Sequence, residues 1–145
     1  MSRKLRVGFV GLGRIFDLNL HGYLGHPEAE IAALCERDPA LLAKRAGEHP
    51  QAKSFADFDE FLKADLDLIE ILTPHPLHEA MTVAALKSGA HVSVQKPMAM
   101  SLGECDRMIE AADASGRRLK LFENFVFYPP LVRARELLRD AAKVN

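Results

Sequence analysis

The sequence predicts an α/β fold, a doubly wound parallel sheet of six strands with flanking helices, on three observations. Short apolar runs recur along the chain with helical patterns between them, a pair of glycines follows the first run directly, and the second run ends in an acid. The runs are LRVGFV (5–10), EIAALC (30–35), a brief AKSF (52–55), DLIEIL (67–72), HVSVQ (91–95) and RLKLF (118–122). Their spacing is that of parallel strands, because a crossover helix needs about a dozen residues between one strand and the next. The segments between them carry helix punctuation. Asp38 followed by Pro39 is an N-cap with proline in the first turn, and Ser101 with Glu104 has capping-box spacing. Gly89 and Gly116 stand where helices over 77–88 and 102–115 should stop. A final helix over roughly 130–143 has no strand after it.

With 145 residues, 48% hydrophobic and 27% charged, one domain over 1–145 with a sizeable core is expected. The 19 basic and 20 acidic residues are scattered and leave a net charge of -1, which gives no footprint for nucleic acid or an anionic membrane. A small molecule or another protein is the expected partner. Cys35 and Cys105 are far apart in sequence and lack Cys-x-x-Cys spacing, so neither a disulfide nor a zinc site is expected. The opening MSRKLRVGFVGLG is not a signal-peptide pattern, and no apolar stretch reaches membrane-spanning length. The chain reads as soluble and cytoplasmic.

The first run leads into VGLGRIF, which puts Gly11 and Gly13 at the first two positions of a G-x-G-x-x-G turn. Gly11 permits the tight turn. Gly13 lets the backbone and the start of the next helix, opened by Arg14 and Ile15, approach a pyrophosphate. The third position is Phe16 rather than a small residue, which implies a displaced helix or a ring turned aside. CERD at the end of the second run places Glu36 where an acid hydrogen-bonds the adenosine ribose. Strand, glycine turn, helix and acid in this order describe a Rossmann dinucleotide-binding domain. A carboxylate at position 36 favours NAD over NADP, whose 2'-phosphate it would repel. The neighbouring Arg37 keeps NADP open, since a guanidinium can pair with that phosphate or stack on adenine, and it reads equally well as a solvated surface charge.

In open α/β sheets the ligand lies beyond the carboxyl ends of the strands, so the residues after strands four and five are the next candidates. They are TPHPLHEA, with Thr73, Pro74, His75 and His78, and then Gln95, Lys96 and Pro97. A lysine at a buried strand end is costly to place, which marks Lys96 for catalysis or cofactor contact. His75 and His78 are one turn apart, but no cysteine or carboxylate set accompanies them, and no metal is expected.

The run DLIEILTPHPLHEAMTVAALKSGAHVSVQKP over 67–97 resembles a stretch of the glucose-fructose oxidoreductase/inositol dehydrogenase (Gfo/Idh/MocA) family that reads strand, T-P-N-x-x-H, an alanine-rich helix, G-x-H-V and E-K-P. VGFVGLGRI, CERDP and ENFVFYPP extend the resemblance over nearly the whole chain. It implies an NAD(P)-dependent oxidoreductase of sugars, polyols or related hydroxy and carbonyl compounds. Lys96 would contact substrate and nicotinamide and assist proton transfer, Thr73, Pro74 and His78 would line the cofactor groove, and the Lys96-Pro97 peptide would be cis. Hydride removal from a carbinol leaves an oxygen whose proton must depart, and a desolvated lysine beside a cationic ring is suited to take it. Two residues depart from the pattern. Gln95 stands for glutamate, removing an anion beside Lys96 and a contact to the cofactor ribose, and His75 stands where asparagine is common.

Family members continue into a second domain that supplies substrate contacts and dimerisation, and the chain ends at Asn145 without it. Turnover by these 145 residues alone is therefore not expected. The apolar ENFVFYPP (123–130) reads as a surface that packs on that domain, or that drives homo-oligomerisation when bare. Two alternatives stand beside the dehydrogenase: a nucleotide-binding stub or regulatory module without catalysis, and an oligomerising fragment whose glycine turn is empty.

Overall fold

The computed structural model describes residues 3–123 and 128–141. Six strands, β1 (Leu5–Val10), β2 (Ala29–Cys35), β3 (Lys53–Phe55), β4 (Leu68–Ile71), β5 (His91–Gln95) and β6 (Leu119–Phe122), form one sheet in the order β3-β2-β1-β4-β5-β6. All pairs are parallel. Helices α1 (Arg14–Leu20), α2 (Pro39–Glu48), α3 (Phe58–Leu62), α4 (His78–Lys87) and α5 (Leu102–Ser115) make the connections, and α6 (Pro129–Ala141) follows β6. The chain leaves β1 toward β2 in one direction and reaches β4 on the other side, so the strand order reverses between β1 and β4. A crevice opens at such a reversal, outside the carboxyl ends of the two strands.

The expected punctuation sets the helix boundaries. The Asp38 carboxylate accepts from the Ala40 and Leu41 amides at 2.9 and 3.2 Å. Ser101 Oγ accepts from the Glu104 amide at 3.3 Å, and Glu104 returns a bond to the Met100 amide at 2.7 Å, one residue before the position a capping box usually serves. Gly89 and Gly116 turn the chain through φ of 97° and 64°. The sequence reading carried no helix between β3 and β4. There Asp57 caps the short α3 by accepting from the Glu60 amide at 2.9 Å, and the helix buries Phe61. The helix expected over 77–88 is preceded by a 3-10 turn, His75–Leu77. Residues 124–127 of the apolar ENFVFYPP segment lie outside the described residues. Among the described residues no helix is long and apolar enough to cross a membrane.

Side-chain alternation sends the two strand faces into two cores. Ile69, Ile71, Val92 and Val94 pack with Leu86 of α4 and Met108 of α5, while Val7, Phe9, Ile31 and Leu34 pack with Phe16 and Leu20 of α1. Phe16 fills the space between α1 and the sheet. Its ring is fully buried, edge-on to Phe9 at 5.2 Å and to His49 at 5.9 Å, with the Arg45 guanidinium over it at 4.9 Å. The departure at position 16 is thus met by a ring packed into the core between α1 and the sheet.

A buried acid also belongs to this layer. Glu70, on β4, is 2% exposed; it accepts a hydrogen bond from the Tyr23 hydroxyl and one from Asn19 Nδ2 at 3.4 Å. Burial raises its pKa against those hydrogen bonds, and burial with the nearby Glu70 charge pushes the Tyr23 hydroxyl up as well. A carboxyl whose folded pKa lies above its unfolded value favours the folded state most when protonated, and that contribution is lost as pH rises through the folded pKa. Glu70→Gln, which cannot ionise, should therefore gain on the parent by about 1 kcal/mol, a Tm change of roughly 3–4 °C, between about pH 4 and about pH 7. Thermal melts of both proteins at the two pH values check this; a Tm difference that does not change with pH would refute it.

Candidate functional site

The crevice is built from the end of β1. Gly11 turns the chain at φ 85°, and its amide donates to Cys35 O at 3.0 Å. A Cβ there would meet Leu72 C and Thr73 N at 2.9 Å, so the turn after β1 and the turn after β4 touch through backbone only because residue 11 has no side chain. Gly13 is different. Its backbone is extended, with φ -73° and ψ -157°, and a Cβ built on it meets nothing within 4 Å. No internal packing or backbone conformation demands glycine at 13, whereas a ligand lying against the turn would. Gly13→Ala should leave Tm unchanged within about 1 °C and weaken NADH binding by about tenfold or more, whereas Gly11→Ala should cost about 2–4 kcal/mol of stability. Melting curves and a cofactor titration on the two variants separate the cases, and undiminished affinity in Gly13→Ala would show that nothing approaches the turn there.

Glu36, at the end of β2, faces this turn. Its Oε2 accepts from the Leu12 amide at 2.9 Å and its Oε1 from the Asp38 amide at 3.1 Å. The carboxylate is thereby fixed at the groove wall with lone pairs to spare for a further donor. The groove has a volume of about 710 Å³. Of the residues expected from sequence it gathers Gly11, Gly13, Glu36, Arg37, Thr73 and Pro74. Arg37 is exposed at its edge. Thr73 Oγ1 is buried without a hydrogen-bond partner, a polar atom that a ligand hydroxyl or amide would satisfy. The apolar wall comes from Leu41, Phe58, Leu77 and Met81, which the sequence reading did not single out. Each opens or follows the start of a helix, and by pattern alone such residues are indistinguishable from core positions. Cys35 also borders the groove; burial, then the Glu36 charge, pushes its thiol up to about 12, so it presents S–H rather than thiolate.

The remaining candidates fall outside the groove wall. Arg14 and Ile15 open α1 behind Gly13, the former exposed and the latter half-buried. His78 is fully buried, not a lining residue: its Nδ1 lies 2.8 Å from Pro97 O and its Nε2 2.9 Å from Thr73 O. It ties the turn after β4 to the turn after β5. The His75 ring stands edge-on to it at 5.5 Å. Gln95 is 6% exposed, and its Oε1 accepts from the Lys96 amide at 3.0 Å. The Lys96-Pro97 peptide is cis. Lys96 departs from the buried lysine expected at this strand end. Gln95 is the last buried residue of β5, the chain turns outward immediately after it, and the Lys96 side chain is exposed.

Glycine turn, bonded acid, unpartnered threonine and open space over Gly13 fit a bound dinucleotide. Comparison with known proteins agrees. Residues 5–123 match the GFO/IDH/MocA family, described as an oxidoreductase family with an NAD-binding Rossmann fold. The chain is 35% identical over 135 residues to 1-carboxy-3-chloro-3,4-dihydroxycyclohexa-1,5-diene dehydrogenase of Comamonas testosteroni, covering 92% of this chain and 34% of that protein. It is 31% identical over 134 residues to an alpha-N-acetylgalactosaminidase of Bacteroides fragilis, covering 86% of this chain and 32% of the relative. Among solved structures, the WlbA dehydrogenase of Bordetella pertussis in complex with NADH and UDP-GlcNAcA superposes with a TM-score of 0.80 at 30% identity, over 84% of this chain and 36% of its own. The chain spans about a third of the length of these relatives. With the match over 5–123 and the dinucleotide crevice in place, the chain belongs to the Gfo/Idh/MocA oxidoreductase family and forms its NAD-binding Rossmann domain.

Proposed function

We propose that this domain serves a cytoplasmic NAD-dependent dehydrogenase that acts on a sugar, polyol or related hydroxy compound, with the substrate held by a further domain. The observation that supports the reading is Glu36 bonded to the Leu12 amide, with this acid and the glycine turn in one wall of one groove. The nicotinamide cofactor supplies a hydride acceptor when bound. The chain's own residues do the rest: Gly13 leaves room for the pyrophosphate, Glu36 accepts from the ribose hydroxyls, and Thr73 Oγ1 offers its unused bond. Lys96 takes the proton of the substrate hydroxyl as the hydride departs from the carbon that bears it, and so stabilises the negative charge that develops on that oxygen. His78 supports both turns without touching the ligand. The carboxylate at 36 disfavours a 2'-phosphate, so NAD is preferred.

A second reading, binding without turnover, is favoured by Gln95. The family glutamate is absent there, and the amide oxygen is engaged with its own chain. The first experiment is common to both. The protein has no tryptophan, so the fluorescence of reduced nicotinamide can be followed directly on titrating NADH and NADPH. Saturable binding with NADH preferred by about tenfold or more is expected. Absence of binding by either cofactor would overturn both readings.

A further inference from the structure

Arg45 is a buried arginine that the cofactor site does not use directly. It lies in the last turn of α2, 7% exposed. Its guanidinium faces three acceptors: Asp17 on α1, with contacts of 2.8 Å from Nη1 and Nη2; Glu48, at 2.8 Å from Nη1; and Leu12 O, at 3.2 Å from Nε. The same guanidinium lies over the Phe16 ring. Leu12 is the middle residue of the Gly-Leu-Gly turn, and both of its peptide groups are held. Its N–H goes to Glu36 and its C=O to Arg45.

A trans peptide points its C=O and N–H in opposite directions. Holding Leu12 O against a buried guanidinium behind the turn therefore aims the Gly13 N–H the other way, toward the groove that Gly13 lines. We propose that Arg45 is a positioning residue for the dinucleotide site: it fixes the orientation of the Leu12–Gly13 peptide so that the Gly13 N–H faces the cofactor pyrophosphate. The proposal rests on the dehydrogenase reading only for the identity of that ligand. Arginine suits the task because its planar fork serves several acceptors at once, which the single ammonium of lysine cannot do in a fixed geometry. The Asp17 and Glu48 carboxyls, held below the usual carboxylate range chiefly by hydrogen bonds from Arg45, keep the fork anchored near neutral pH.

The test uses Arg45→Met, which keeps an aliphatic cover on Phe16, and Arg45→Lys, which keeps the charge. Three ligands are titrated into each variant and the parent: NADH, ADP-ribose and adenosine. The expected result is a loss of about tenfold or more for the two ligands that carry a pyrophosphate, in both variants, with adenosine affinity unchanged within about twofold. Equal loss for all three ligands, or no loss for any, would overturn the positioning role. Amide NMR of the ligand-free proteins gives an independent readout. Leu12 and Gly13 resonances should move in both variants while those of Val7 and Ile69 in the strands stay, and unmoved Leu12 and Gly13 resonances would reject the clamp. A parent that binds no NADH would sink the dehydrogenase reading, and the ligand-free spectra would still decide whether Arg45 sets the turn.

Discussion

Phe16→Ala is expected to lower the stability of this domain by about 3–5 kcal/mol, although it restores a small residue at the third position of the glycine fingerprint. In most such turns a small residue lets helix and strand approach closely. Here the Phe16 ring occupies the space between α1 and the sheet, edge-on to Phe9 and His49 and beneath Arg45. Deleting a fully buried ring removes its burial free energy and leaves a cavity that Phe9, Leu20 and Leu34 can close only in part. The loss is a large fraction of the roughly 5–15 kcal/mol that holds a domain together. It should appear in urea unfolding as a fall in midpoint of about 2 M. Phe16→Leu should cost less, about 1–2 kcal/mol, because it keeps most of the volume. An alanine variant as stable as the parent would mean that α1 can close onto β1 and fill the space the ring leaves.

Lys96→Ala, tested in a protein that carries a substrate-binding domain after this one, should lower kcat by about 100-fold to 10,000-fold, the usual worth of a positioned acid or base. Cofactor affinity should change by no more than about threefold, because Lys96 is not in the groove wall and its loss leaves Gly13, Glu36 and Thr73 in place. Stability should not change either. The side chain is exposed, and the turn that presents it is held by groups the substitution keeps: the Lys96 amide on Gln95 Oε1 and Pro97 O on His78. Steady-state kinetics with a fluorescence titration separate the two quantities. Turnover within threefold of the parent would remove Lys96 from the chemistry.

Features that depend on neighbours in sequence were legible before the structure. The alternation of strands and helices follows from the reach of a crossover. Gly89 and Gly116 end helices because the chain there turns through positive φ, and Asp38 and Ser101 begin them because a short polar side chain meets the first free amides. Gly11 and Glu36 were readable for the same reason, one as a local backbone requirement and the other as a position at the end of a recognisable strand. What only the tertiary structure decided involves groups far apart along the chain. Arg45 meets Leu12 across 33 residues and Tyr23 meets Glu70 across 47, and no local pattern marks either pair. His78 carries a motif position that reads as a groove residue, but it is buried between two turns, because Thr73 O and Pro97 O both converge on its ring. Lys96 reads as a buried charge, yet the chain turns outward just after Gln95 and leaves it exposed. The physical division is between backbone conformation, which a few consecutive residues determine, and burial with its hydrogen-bond partners, which is a property of how distant segments pack.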